Sequence, residues 1–156
     1  QMADTSLNEN RIGLLIWQTS NLWQSRIRKQ IIKFNLSFNE YMILETIYIL
    51  SKNSSNISQV DIVKNSFIDK SVVSAKLTQL DKKKLIKKMT PNDNRSNKLG
   101  LTKEGMSIID KIINDVVEVE NAFFSKLNQE TFNFTNSLKL LLGKKIRIKA
   151  KKINQI

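Results

Sequence analysis

The chain has no cysteine and no histidine among its 156 residues. The first absence excludes disulfides, thiolate metal sites and thiol nucleophiles. The second removes the usual neutral-pH acid and base together with the commonest zinc ligand. Catalysis would fall to carboxylates, lysine or serine, and no glycine-rich phosphate loop, metal cluster or activated nucleophile accompanies them. Neither an enzyme nor a cofactor is therefore expected. Long apolar runs are missing as well, so no stretch reaches the length of a bilayer-spanning helix. Asp4 and Glu9 stand where a secretion signal requires positive charge. The expectation is a cytoplasmic protein with no membrane partner.

Acidic residues are scarce: 14 Asp and Glu against 26 Lys and Arg leave a net charge of +12. That balance puts nucleic acid first among candidate partners and an anionic membrane surface second. An AT-rich genome also enriches Ile, Lys and Asn whatever the function, so the placement of charge has to decide. What remains is an ordinary globular composition, 40% hydrophobic and 26% charged, in a length that suits one domain with a real core. Proline occurs once, at Pro91, and Gly100 and Gly105 follow closely, so the chain's breakers concentrate in one stretch.

Apolar residues recur three and four apart at Ile12, Leu15, Ile16, Leu22, Trp23, Ile27, Ile31 and Phe34. This predicts a long amphipathic helix over about 8–34. Asn35 and Leu36 interrupt it, and Ser37-Phe38-Asn39-Glu40 reads as a capping box that opens a second helix to about Leu50. A polar loop over 51–56 follows, with Ile57 as an isolated short strand. Ser58 to Asp61 can cap again. A short helix to about Asn65, a turn through Ser66-Phe67-Ile68 and a helix from Asp69 to about Lys83 have the spacing of a helix-turn-helix.

In the second of these helices Val73, Leu77 and Leu80 form one apolar stripe, and the rest of its surface is short, polar and basic. Residues 85–89 and 97–101 read as two strands joined by a polar tip over 90–96, with Gly100 marking a bulge. Thr102 caps another long helix, whose apolar positions run from Met106 to Leu127. A final helix starts near Gln129 and carries Phe132, Leu138, Leu141, Leu142 and Ile146. Beyond Glu130 no acidic side chain occurs, while lysine and arginine accumulate over 139–152. That basic segment is a solvated face, a second DNA contact or a membrane-surface helix, ranked in that order.

A hairpin directly after the second helix of a helix-turn-helix makes a winged helix. Such a helix can enter the DNA major groove while the hairpin reaches the flanking backbone and minor groove. Arg95 at the tip suits a narrow groove of negative potential, and Asp93 would restrict its rotamers. Lysines on the strands, Lys87, Lys88 and Lys98, together with Lys82, Lys83 and Lys84 before them, would meet phosphates, which position a protein without reading sequence.

Four segments in order carry a resemblance to the multiple antibiotic resistance regulator (MarR) family. They are LSFNEYMIL at 36–44, KSVVSAKLTQLDKKKLIKK at 70–88, DNR at 93–95 and LTKEG at 101–105. The resemblance implies a mostly α (α+β) winged helix-turn-helix in a single domain over 1–156, with about six helices and a two- to three-stranded wing. Residues 8–34 and 103–150 would be dimerisation helices around a DNA-binding lobe at 37–102. Such proteins are homodimers, and the apolar surface of the first and last helices points the same way.

Carried over by match, Ser71, Val72 and Ser74 face bases, with Lys70, Lys76 and Thr78 beside them, and Arg95 takes the minor groove braced by Asp93. Two positions depart from the family pattern. Ala75 stands where arginine is common, so that one base or phosphate contact is either lost or moved to Lys76, and Lys84 replaces the glycine that closes the helix. Trp17, Trp23, Tyr41 and Tyr48 are candidates to line a small-molecule effector pocket, although aromatic residues at helical spacing are usually core. Lacking cysteine and histidine, the chain does not resemble the thiol-oxidation or zinc-sensing subtypes. The expected function is a homodimeric, sequence-specific regulator of transcription, a repressor on a pseudo-palindromic operator. The alternative is a winged helix used for protein–protein assembly with only non-specific DNA affinity.

Overall fold

The computed structural model describes residues 9–89 and 98–148. Helix α1 (Ile12–Ile31) starts without a side-chain cap and ends in a 3-10 turn (Ile32–Phe34). Asn35 closes that turn in the left-handed conformation, φ 56°, which a short polar side chain tolerates better than most. Leu36 is then buried, and Ser37 begins α2 (Phe38–Ser51). The capping box forms as read: the Glu40 N–H donates to Ser37 Oγ at 3.3 Å, and the Ser37 N–H donates to Glu40 Oε1 at 3.0 Å. Two orphan amides are thereby satisfied at the point where the chain turns inward.

Helix α2 runs through the core and buries Tyr41, Ile43, Leu44 and Ile47. Against it pack Ile27 and Ile31 of α1 and Ile62 of α3 (Gln59–Ser66), with Val73, Leu77 and Leu80 of α4 (Lys70–Lys82). A second capping box, Ser58 with Asp61, starts α3, and Asp69 caps α4 by accepting the Ser71 N–H at 2.8 Å. Between the two helices Phe67 sits at φ 59°, so the turn is tight and left-handed.

The wing is a three-stranded antiparallel sheet in the order β1-β3-β2, with β1 at Ile57–Ser58, β2 at Ile86–Met89 and β3 at Lys98–Leu101. Two sequence expectations change here. Ile57 is not isolated, because it pairs with Leu99 on the outer edge of β3 and buries its side chain. Gly100 marks no bulge, since the register from Ile86↔Leu101 to Met89↔Lys98 is unbroken and Gly100 lies opposite Lys87.

Helix α4 closes in a Schellman motif. The Leu85 N–H donates to the Leu80 carbonyl at 3.0 Å and the Lys84 N–H to Asp81 at 2.9 Å, with Lys84 at φ 59°. Lysine accepts the left-handed position without help from glycine. The next joint is closed by Thr102, whose Oγ1 donates to the Lys84 carbonyl at 2.7 Å and accepts the Gly105 N–H at 3.0 Å. A Cβ on Gly105 would overlap the Leu85 carbonyl, which explains the glycine in LTKEG: α5 (Lys103–Phe124) starts flush against the α4–β2 joint.

The chain divides into two compact units, 1–120 and 121–156. In the second, a 3-10 stretch (Ser125–Glu130) with a break at Asn128 leads into α6 (Thr131–Leu141). The expected basic helix ends there. Gly143 at φ 70° forms another Schellman closure, with the Lys144 N–H on the Lys139 carbonyl at 2.8 Å. Lys144, Lys145 and Arg147 therefore follow the helix in irregular backbone, where Asn136 brackets Arg147 through its carbonyl and N–H, at 2.7 and 3.0 Å.

Because a non-glycine left-handed residue costs about 1–2 kcal/mol and glycine loses about 0.5–1 kcal/mol more backbone entropy, Lys84→Gly should stabilise the fold by about 0.5–1 kcal/mol. Thermal unfolding should show a raised midpoint. An unchanged or lowered midpoint would contradict the strain assigned to this position.

Candidate nucleic-acid interface

Burial of Val73, Leu77 and Leu80 fixes the rotation of α4 about its axis and turns Lys70, Ser71, Ser74, Ala75 and Thr78 outward, all exposed. Val72 is half-buried on the flank rather than fully presented, and Lys76 lies on the same flank, with its Nζ donating to Gln79 Oε1 at 3.3 Å. Thr78 donates back to the Ser74 carbonyl at 3.1 Å. Ser71 is the most constrained of the set. Its hydroxyl donates to Asp69 Oδ1 at 2.6 Å, and these hydrogen bonds from Ser71 hold the Asp69 carboxyl below its ordinary range. An ionised carboxylate only accepts, so Ser71 shows the solvent its lone pairs, matching an amino donor on a base edge.

On the wing, Lys87 and Lys88 are exposed on β2 and Lys98 is half-buried on β3. Asp93 and Arg95 lie outside the described residues. The two strands that lead to the tip are paired up to Met89↔Lys98.

The end of α4 is anchored by Lys83, which the sequence placed with Lys82 and Lys84 among the phosphate contacts and which the fold pairs internally instead. Lys83 Nζ lies 2.8 Å from Glu40 Oε2 and donates to the Asn35 carbonyl at 2.6 Å, forty-eight positions away. Glu40 is 3% exposed. Burial alone would raise its carboxyl, but the Lys83 ion pair and the hydrogen bonds from Ser37 outweigh it and hold the group below its ordinary range. One buried carboxylate thus joins the α1–α2 corner to the last turn of α4.

The four aromatic candidates sit in different environments. Trp17 is 63% exposed on α1, Tyr41 is a core residue, and Tyr48 is half-buried with Lys52 Nζ 4.8 Å from its ring centre. Trp23 stacks edge-on against Phe38 at 5.5 Å. Trp23 and Tyr41 share a different neighbourhood, made polar by two carboxylates. The Tyr41 hydroxyl donates to Glu45 Oε1 at 3.2 Å, and burial together with Glu45 and Glu120 pushes its phenol up. Burial raises the Glu45 carboxyl and the nearby Glu120 raises it further, against the hydrogen bond from Tyr41. Burial raises Glu120 too, opposed by Trp23. The i, i+4 spacing of Tyr41 and Glu45 is visible in the sequence; the approach of Glu120 is tertiary.

No family model matches the chain. Among curated sequences it is similar to an uncharacterised helix-turn-helix-type transcriptional regulator of Bacillus subtilis, YdcH. The two are 26% identical over 131 residues, covering 83% of this chain and 88% of that one. Among solved structures it is similar to the Staphylococcus aureus MepR–DNA complex, at a TM-score of 0.75 and 22% identity, over 87% of this chain and 97% of that one. It is also similar to AbsC, a MarR family transcriptional regulator of Streptomyces coelicolor, at a TM-score of 0.73 and 20% identity, over 92% and 95% of the two chains.

The raised carboxyls make a pH prediction. With folded values above the ordinary 4.5, Glu45 and Glu120 bind protons more tightly in the folded state, so their contribution is fully present below 4.5 and is lost as pH rises through the folded values. Glu45→Gln keeps an acceptor for Tyr41 and removes the charge. Its unfolding midpoint should exceed that of the parent at pH 7 and coincide with it near pH 4, and equal midpoints at both would contradict the mutual effect of these two half-buried carboxyls.

Proposed function

The chain has the winged-helix fold of the MarR-family regulators, and on that premise we propose that it is a sequence-specific, double-stranded DNA-binding regulator of transcription. The observation that carries this reading is the surface of α4. Its core stripe forces Lys70, Ser71, Ser74 and Thr78 outward, next to a paired wing with Lys87 and Lys88 exposed. Side chains that are short, polar and free of bulk suit base edges in a groove about 12 Å wide. Lysines at the margins suit phosphates.

In this proposal the protein acts in the cytoplasm as a homodimer, without catalysis. Each unit leaves apolar side chains uncovered, Leu15, Ile16, Trp17 and Leu22 on α1 and Leu140, Leu141 and Ile148 in the second. A second copy is the partner that two-fold operator recognition requires. Two recognition helices then read half-sites about one helical turn apart. Arg95 enters the minor groove with Asp93 bracing it, and Lys98 joins the phosphate contacts. Occupying the operator excludes polymerase, so repression is the outcome. A small-molecule effector acts on this unit near Trp23, Tyr41 and the Glu45–Glu120 pair.

Titration of a selected duplex against a scrambled one, at several salt concentrations, tests the function. Discrimination of about 10³ or more with a steep salt slope is expected of a specific regulator. Equal affinity for both duplexes would favour the protein-assembly alternative. Arg95→Ala should weaken binding of the selected duplex by about 1–3 kcal/mol with thermal unfolding unchanged; unaltered affinity would remove the wing tip from the interface.

A further inference from the structure

Between α1, the first turn of α2 and the flank of α4 lies a cleft of about 220 Å³, lined by Gln24, Arg28, Ser37, Phe38, Asn39 and Lys76. Two cations and four neutral side chains make this lining, and it contains no carboxylate. Among the described residues, Lys83 has Glu40 as an ion-pair partner, while Arg28 and Lys76 have none. Arg28 is nonetheless held in place. One guanidinium nitrogen donates to Gln24 Oε1 at 3.1 Å, and the guanidinium carbon lies 5.6 Å from the centre of the Phe38 ring. Phe38 in turn is braced edge-on by Trp23.

We propose that this cleft seats a backbone phosphate of the bound duplex, with Arg28 and Lys76 as its two cationic walls. The inference rests on the DNA-binding reading of α4. A helix about 10–12 Å across fills a groove about 12 Å wide, so the sugar–phosphate walls of that groove run along the helix flanks. Lys76 is on the flank, not on the outward face with Ser71, Ser74 and Thr78, so it lies on the side of α4 along which such a wall would pass. Arg28 supplies several N–H donors in a fixed fork, matched to phosphate oxygens, and a stacked guanidinium loses little freedom on binding.

A phosphate contact and a base contact differ in what they do to specificity, which makes the test direct. Arg28→Gln and Lys76→Gln, each in the full chain, are titrated against the selected and the scrambled duplex across a salt series, with Arg28→Lys as a charge-retaining control. Each neutral variant should lose affinity for both duplexes by the same factor. The slope of log affinity against log salt should become shallower by about one per protomer, leaving discrimination intact. Arg28→Lys should restore the slope. Thermal unfolding of each variant confirms that the fold is kept. A parent protein that discriminates between the duplexes while Arg28→Gln and Lys76→Gln keep its slope would overturn the phosphate seat alone. A parent protein that shows neither discrimination nor salt dependence would overturn the regulator reading and this inference with it.

Discussion

A single buried carboxylate, that of Glu40, sets the geometry on which the rest of the molecule depends. One of its oxygens closes the capping box at the start of α2, and the other holds Lys83 at the end of α4, which also reaches the Asn35 carbonyl. Two chain segments that are far apart in sequence, 35–40 and the end of α4, therefore meet at one charge. A buried ion left without its partner is heavily penalised, so the arrangement is close to all-or-none. Immediately beyond Lys83 comes the left-handed Lys84 and then the first wing strand, and the direction in which the wing leaves the core follows from this anchor.

The excess of positive charge is thereby divided between two kinds of work. Lys83 serves the architecture, paired with the buried Glu40. Lys70, Lys87 and Lys88 are exposed, with no carboxylate partner among the described residues. Lys70 on the outward face of α4, Lys76 on its flank and Lys87 and Lys88 on β2 form a local positive surface suited to a polyanion, while other lysines are exposed on the remaining helices as well. The hydrophobic stripe of α4 and the charge pattern are one constraint viewed from two sides: burying Val73, Leu77 and Leu80 leaves the polar positions nowhere else to point.

Features encoded by neighbours in the chain were legible in the sequence. Both capping boxes, the Asp69 cap, the apolar stripe of α4 and the Thr102 start of α5 each involve residues two to four apart, and each forms as expected. Features that depend on distant partners were not. The pairing of Ile57 with Leu99 spans forty-two positions, the Glu40–Lys83 contact forty-three, and the meeting of Glu45 with Glu120 seventy-five, and no local pattern announces any of them. The overextended last helix is a different case. Gly143 followed by Lys144 is a local stop signal, and the apolar residue at Ile146 masked it. The different burial of the aromatic candidates was not legible either, because helical spacing alone does not distinguish core positions such as Tyr41 from surface ones such as Trp17.

Selection of bound fragments from a pool of random duplex DNA tests the central claim most directly, because specificity and symmetry are read in one experiment. The account predicts enrichment of an inverted repeat whose two halves lie about one helical turn, 10–10.5 base pairs, apart centre to centre. Recovery of fragments with no shared motif, or of a motif lacking two-fold symmetry, would contradict it.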